Sequence, residues 1–268
     1  MAQQRAYIDV VENSVSPEIR TITFADLRDA VRSGLDDFNA FPSHGAFLVV
    51  IFPAVGLVLW GLSVGANLLH LVYPMIAGFA LLGPIAAIGI YELSRRREQR
   101  LPVSWTNILD ILHSPSIGAI AILSFFLFLI FAAWIGTAEF IYAANFGSAV
   151  PSSIVDLVTQ VFTTASGRRL LIVGTAAGFV FAVVSFAMGV VSFPLLLDRQ
   201  VGAPTAVATS IRVVSKNPVT MAAWGFFIAA SMAMGSLLFL FGLTVVLPVL
   251  GHASWHLYRK VVSWTPTT

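Results

Sequence analysis

A chain of 268 residues that is 57% hydrophobic and 10% charged, with a mean hydropathy of +0.87, is too apolar to stay dissolved. Soluble domains carry about 25% charged residues, so lipid is its solvent. The absence of cysteine excludes a disulfide framework, iron–sulfur ligation and thiolate metal sites, and a net charge of +2 goes with no nucleic-acid partner.

Residues 1–22 are polar and aperiodic, which predicts a flexible cytoplasmic tail. No signal peptide is expected, because no apolar stretch follows a basic start. Thr23 to Phe38 predicts an amphipathic helix: Thr23 with Asp26 resembles a capping box, and Leu27, Val31, Leu35 and Phe38 recur at helical spacing. Pro42 closes it. A span needs about 20 apolar residues, and six such runs follow, near Ala46–Gly65, Leu69–Tyr91, Ile117–Tyr142, Leu170–Leu197, Val219–Ser236 and Leu237–His256. The last two form one apolar run of about 57 Å as a straight helix. The chain must therefore turn back, at about Gly235–Ser236, as two full spans or, in the competing reading, as a re-entrant hairpin. The expected fold is all-α: a polytopic bundle, residues 23–262 as one membrane domain, and 263–268 as a short tail.

With the N-terminus inside, thirteen of the fifteen Lys and Arg residues fall on the inner side, leaving Arg168 and Arg169 outside. That bias puts both termini in the cytoplasm. Aromatic residues mark the boundaries: Trp60, Tyr73 and Tyr142 outside, and Tyr91, Trp105, Trp224, Trp255 and Tyr258 inside. The one long outer loop, 145–168, carries Ile154, Leu157, Val158, Val161 and Phe162 on one helical face, opposite Asp156 and Gln160. This predicts a helix lying in the outer interface.

Three times, a short amphipathic stretch ends at a proline and is followed by a span. Seven residues before Pro42, Pro115 and Pro218 stand Leu35, Ile108 and Ile211; four before stand Phe38, Ile111 and Val214. The even-numbered spans each carry a late proline, Pro84, Pro194 and Pro248. These features predict a threefold repeat of an inner interfacial helix plus a helical hairpin, parallel about an axis along the membrane normal.

The late prolines align polar residues as well. Glu92 stands eight residues past Pro84, Asp198 four past Pro194, and His252 and His256 four and eight past Pro248. Offsets of four and eight share one helix face, so Glu92, Asp198, His252 and His256 are candidate divalent-metal ligands at the inner surface. Capping and interface anchoring are the competing roles. Arg95, Arg96 and Arg97 form a basic run suited to anionic lipid headgroups. His44, His113, His70 and Glu139 are weaker candidates, and Gly174 with Gly178 is a small-residue pair for helix packing. No span has an ionisable residue at its midplane, which pumps and ion-coupled carriers usually need. No cofactor and no enzymatic activity are expected.

The strings Leu27–Phe38, Gly83–Arg97 (GPIAAIGIYELSRRR), Ser192–Arg199 (SFPLLLDR) and Val246–Arg259 (VLPVLGHASWHLYR) resemble a family of predicted integral membrane proteins common in proteobacteria, classed as a domain of unknown function. The resemblance covers roughly residues 20–262. It implies a bacterial inner-membrane location and supplies no catalytic residues. Some relatives resemble cytochrome oxidase subunits by name, but this sequence lacks the mid-membrane histidines that name requires. The leading expectation is a non-enzymatic accessory, assembly or interaction subunit of a larger membrane complex of respiratory type. Two alternatives stand beside it. One is a channel or permease for a small neutral or weakly polar solute, lined by Ser124, Ser185, Ser231 and Thr244; the other is a metal-binding membrane protein.

Overall fold

The computed structural model describes residues 17–40, 61, 68–237 and 242–264. Among them the chain is a helical bundle with one two-stranded ribbon. Four helical stretches are long and apolar enough to cross a membrane: Leu69–Glu98, Ile117–Phe146, Ala165–Asp198 and Pro218–Leu237. They correspond to the second through fifth expected spans. The first, Ala46–Gly65, lies outside the described residues apart from Gly61.

The ribbon joins the two ends. β1 (Pro17–Ile19) pairs antiparallel with β2 (Val262–Trp264), Pro17 opposite Trp264 and Ile19 opposite Val262. The next residues are pinned from another side. Ile22 N–H donates to Asn217 Oδ1 at 2.9 Å, Asn217 Nδ2 to Arg20 O at 3.1 Å, and Lys216 Nζ to Ile19 O at 2.6 Å. Residues 17–22 are therefore ordered structure rather than tail, because partners nearly 200 positions away satisfy their backbone.

Helix α1 (Phe24–Ala40) starts at the expected capping box: Thr23 N–H donates to Asp26 Oδ2 at 2.8 Å, and Asp26 N–H to Thr23 Oγ1 at 3.4 Å. Its buried stripe differs from the expected one. Leu27, Ala30, Gly34 and Asp37 are buried, whereas Leu35 is 43% exposed. Small residues enter the interface because α1 docks closely on another helix. A Cβ on Gly34 would lie 2.7 Å from the backbone nitrogen of Ala253.

The stretch Leu69–Glu98 is broken. A 3-10 turn (Leu69–Leu71) leads to α2 (Val72–Phe79), a second turn (Ala80–Leu82), α3 (Gly83–Ala86) and α4 (Ile88–Glu98). Pro84 sits in the first turn of α3, where its missing N–H is harmless. A 3-10 helix (Trp105–His113), capped reciprocally by Ser104 and Asn107, precedes α5 (Ile117–Phe146). The outer helix α6 (Ile154–Thr163) is capped by Ser153, and α7 (Ala165–Gly189) by Thr164. After a break at Val190–Val191 comes α8 (Ser192–Asp198), with Pro194 in its first turn. Ser210 Oγ accepts the Val191 N–H across that break at 3.2 Å. Then follow α9 (Ala203–Lys216), α10 (Pro218–Leu237) and α11 (Leu243–Val261).

Gly235 and Ser236, where the length argument puts the turn, still belong to α10, and residues 238–241 lie outside the described residues; Gly235 and Gly242 come so close that a Cβ on Gly242 would meet Gly235 O at 2.6 Å. The sixth expected span, Leu237–His256, becomes α11. It is not among the four helices apolar enough to cross, since its second half carries His252, His256, Arg259 and Lys260.

The three inner amphipathic helices pack in a cyclic order. The 3-10 helix Trp105–His113 packs on α4, α9 packs on α7 and α8, and α1 packs on α11. The 3-10 helix and α9 each rest on the end of the long apolar stretch before them, and α1 rests on the last helix. Glycine marks two of these contacts: Gly34 faces Ala253, and a Cβ on Gly89 would meet Ile108 Cγ2 at 2.5 Å. The main core forms where these elements converge, around Trp224, Phe193, Leu195, Leu196, Leu257 and Tyr258.

Candidate functional site: a buried polar cluster at the inner end

The ends of α1, α4, α8 and α11 bring charged groups together within the protein. At the centre is Asp37, 4% exposed. Its carboxylate accepts from Ser94 Oγ at 2.6 Å, Arg97 Nη1 at 2.5 Å and His256 Nε2 at 2.9 Å, with His252 Nδ1 at 3.7 Å. Ser94 Oγ lies 2.7 Å from His252 Nδ1. A hydroxyl has one proton; given to Asp37, it leaves a lone pair free to accept from His252 Nδ1–H. The result is a relay from His252 through Ser94 to Asp37. Burial alone would raise the Asp37 pKa, but hydrogen bonds from His256 and Ser94 and the two imidazole charges outweigh it. They hold the carboxyl below the usual carboxylate range.

Two further groups flank this centre. Glu92, 2% exposed, accepts from Arg95 Nε at 2.7 Å and Arg95 Nη2 at 2.9 Å, with Arg96 Nη1 at 3.7 Å. Asp198 accepts from Tyr258 Oη at 2.7 Å and Arg259 Nη1 at 3.2 Å. Arg259 Nε reaches Glu98 at 2.9 Å, and Glu98 also accepts from Trp255 Nε1 at 3.0 Å. Burial and the neighbouring Asp198 push the Tyr258 phenol well above its ordinary range.

All four residues singled out as metal ligands therefore reach one end of the bundle, the end expected to face inward, but they do not meet at one point. His252 and His256 converge on Asp37, Glu92 is clamped by Arg95, and Asp198 is bonded to Tyr258 and Arg259. Among the described residues no group of three or more His, Asp or Glu side chains is placed to hold a metal ion. The physical reason is local: Ser94 stands between His252 and the carboxylate, and cationic and hydroxyl donors occupy the carboxylate oxygens. Sequence reasoning missed Asp37, Ser94 and Glu98, and assigned Arg97 to lipid headgroups. Asp37 had a signal, a lone carboxylate on the small-residue stripe Leu27, Ala30, Gly34.

Arg95, Arg96 and Arg97 are likewise engaged internally, with Glu92, Asp110 (2.9 Å) and Asp37. Three of the aromatic residues expected at the inner boundary are core instead. Trp224, Trp255 and Tyr258 are at most 1% exposed, because the amphipathic helices cover the span ends and make them core.

The outer end holds much less. Glu139 stands 22 residues into α5, about 33 Å from Ile117. His70 Nε2 lies 2.6 Å from Glu139 Oε2, and the His70 ring stacks on Tyr142 at 4.2 Å. His70 is buried on its side chain and Glu139 is 48% exposed. In α6, Val155, Val158 and Phe162 are exposed, while Ile154, Leu157 and Val161 are half-buried. Of the residues proposed to line a channel, Ser185 and Thr244 are buried and Ser124 and Ser231 half-buried. His113 is exposed, and His44 lies outside the described residues. Gly178 receives the Trp134 ring, whereas Gly174 faces open space.

Residues 72–198 match the model of a family described as "Predicted integral membrane protein (DUF2189)", a domain of unknown function. No curated protein and no solved structure matches the chain.

Proposed function

We propose that this integral membrane protein, whose central residues carry the DUF2189 domain, is a six-span, non-enzymatic accessory or assembly subunit of a larger complex of respiratory type. It sits in the bacterial inner membrane with both termini cytoplasmic, and its three hairpin units descend from a threefold repeat. The antiparallel pairing of β1 with β2 supports an even number of crossings, since it holds both ends of the described chain side by side. The cyclic packing of the inner helices supports the repeat. Thirteen of fifteen cationic residues on the termini's side support the orientation.

The observation that carries the subunit reading is a shallow apolar hollow on the exposed side of α7, formed by Leu171, Ile172, Thr175, Ala176 and Phe179. Gly174 beside it faces open space. Small residues at membrane depth let a second helix approach closely, and van der Waals packing is the main force between helices in lipid. The hollow suits one transmembrane helix of a partner.

Gentle extraction from native membranes tests this. The expected result is a stoichiometric membrane partner that is lost in Ala176→Trp, a change on an exposed face that leaves the fold intact. Recovery as a lone homo-oligomer, or a partner that survives Ala176→Trp, would contradict it.

A further inference from the structure

The exposed side of the inner helices carries chemistry that the buried cluster does not use. At 3.6 residues per turn, Leu27, Ala30, Gly34 and Asp37 occupy one arc of α1 about 80° wide, and these are its buried residues. On the opposite side, Phe24, Leu35, Arg28 and Arg32 fall within a second arc of about 80°. All four are exposed, Phe24 by 61% and Leu35 by 43%. On α9 the exposed side shows Ile211, 44% exposed, beside Arg212.

Charge sets these arginines apart from the run Arg95–Arg97. Arg95, Arg96 and Arg97 each have an internal carboxylate. Among the described residues, none lies in ion-pair reach of Arg28, Arg32 or Arg212; the nearby acids Asp26 and Asp29 go to Lys260. Asp36 borders the α1 face, which keeps a cationic excess. The height of the surface is fixed by connectivity. Helix α9 ends at Lys216, two residues before α10 begins its crossing at Pro218. Helix α1 is tied through Asp37 to Ser94 and Arg97, in the last turn and a half of the span Leu69–Glu98. These faces therefore lie level with the span ends, where large apolar side chains reach acyl chains and guanidinium groups reach phosphates.

We propose that the exposed faces of α1 and α9 form a docking surface for anionic phospholipid, with Arg28, Arg32 and Arg212 on the phosphates and Phe24, Leu35 and Ile211 below them. The site is a bidentate phosphate fork three times over, and each arginine near such a surface contributes attraction. It depends on the membrane location and not on any protein partner, so purified protein alone can test it.

The test titrates phosphatidylglycerol into the full-length protein in neutral detergent and follows thermal stability, while amide exchange maps residues 24–39 and 204–216. Phosphatidylcholine of the same chains and inorganic phosphate are parallel arms. The expected result is stabilisation and slowed exchange with phosphatidylglycerol only. Apparent affinity should fall about fivefold for each of Arg28→Gln, Arg32→Gln and Arg212→Gln, while Arg96→Gln keeps the lipid response on a less stable protein. Equal protection by phosphatidylcholine would overturn the proposal, as would a triple variant that keeps its response. Protection by inorganic phosphate alone would assign the arginines to a soluble anion instead. Loss of the response in Arg96→Gln alone would move the site to Arg95–Arg97.

Discussion

The two ends of this bundle solve the same problem in opposite ways. At the inner end, four carboxylates from three helices, of which Asp37 and Glu92 are buried, are each matched by arginine, imidazole, hydroxyl or indole donors. At the outer end, one histidine–glutamate pair and a run of stacked rings, His70, Tyr142 and Phe146, join the elements. The inner end holds by directional bonds that fix one arrangement; the outer end holds by burial, which tolerates small shifts. A buried ion pair adds little net stability against an apolar pair, but losing one partner is severe. The comparison thus predicts a steep difference in how the two ends respond to substitution.

The largest effect should come from Asp37→Ala. It would remove the buried carboxylate on which Ser94, Arg97 and His256 converge, at a cost of about 3–5 kcal/mol in reversible unfolding in mixed micelles. A loss below about 1 kcal/mol, the size typical of an exposed pair, would mean that water already reaches the cluster. Next is Gly34→Val. With Ala253 backbone 2.7 Å from the new Cβ, α1 must move off α11, which should cost about 1–3 kcal/mol and speed amide exchange throughout α1. Gly174→Val, with open space around it, is the matched control and should change neither reading.

Acid should separate the ends as well. The Asp37 pKa is depressed in the folded protein, so its contribution is complete above the ordinary carboxylate value near 4 and is lost as pH falls through the lower folded value. Stability measured from pH 6 to pH 2 should show an acid limb below about pH 4 that is weakened in Asp37→Asn. An unchanged limb in that variant would assign the acid sensitivity to other carboxylates. The smallest effect is expected from Glu139→Gln. With Glu139 half exposed, its pair with His70 should be worth no more than about 1 kcal/mol.

Much of the fold was legible because lipid enforces simple rules. Spans announce themselves by length and apolarity, and the capping pair Thr23 and Asp26 marked the start of α1. The prolines located the breaks before α3 and α8, though Pro248 sits inside the continuous α11. The late-proline spacing brought Glu92, Asp198, His252 and His256 to one end. It could not sort them, because their partners come from another helix or from neighbours the spacing does not align. Asp37 reaches the histidines across a separation of 219 residues, and only the close Gly34–Ala253 contact makes that distance short. Of the apolar residues at helical spacing in α1, Leu27 is buried, Val31 and Phe38 are half-buried and Leu35 is exposed, because the closely docked face is completed by Ala30, Gly34 and Asp37.

The central claim is that the charged end of the bundle faces the cytoplasm and that the chain crosses an even number of times. The native sequence has no cysteine, so single introduced thiols report sidedness without background. In intact cells, a membrane-impermeant maleimide should label Val150→Cys, in the exposed outer loop, and should reach Gly202→Cys and Ser263→Cys only after permeabilisation. Labelling of Gly202→Cys or Ser263→Cys in intact cells, with Val150→Cys protected, would contradict the account.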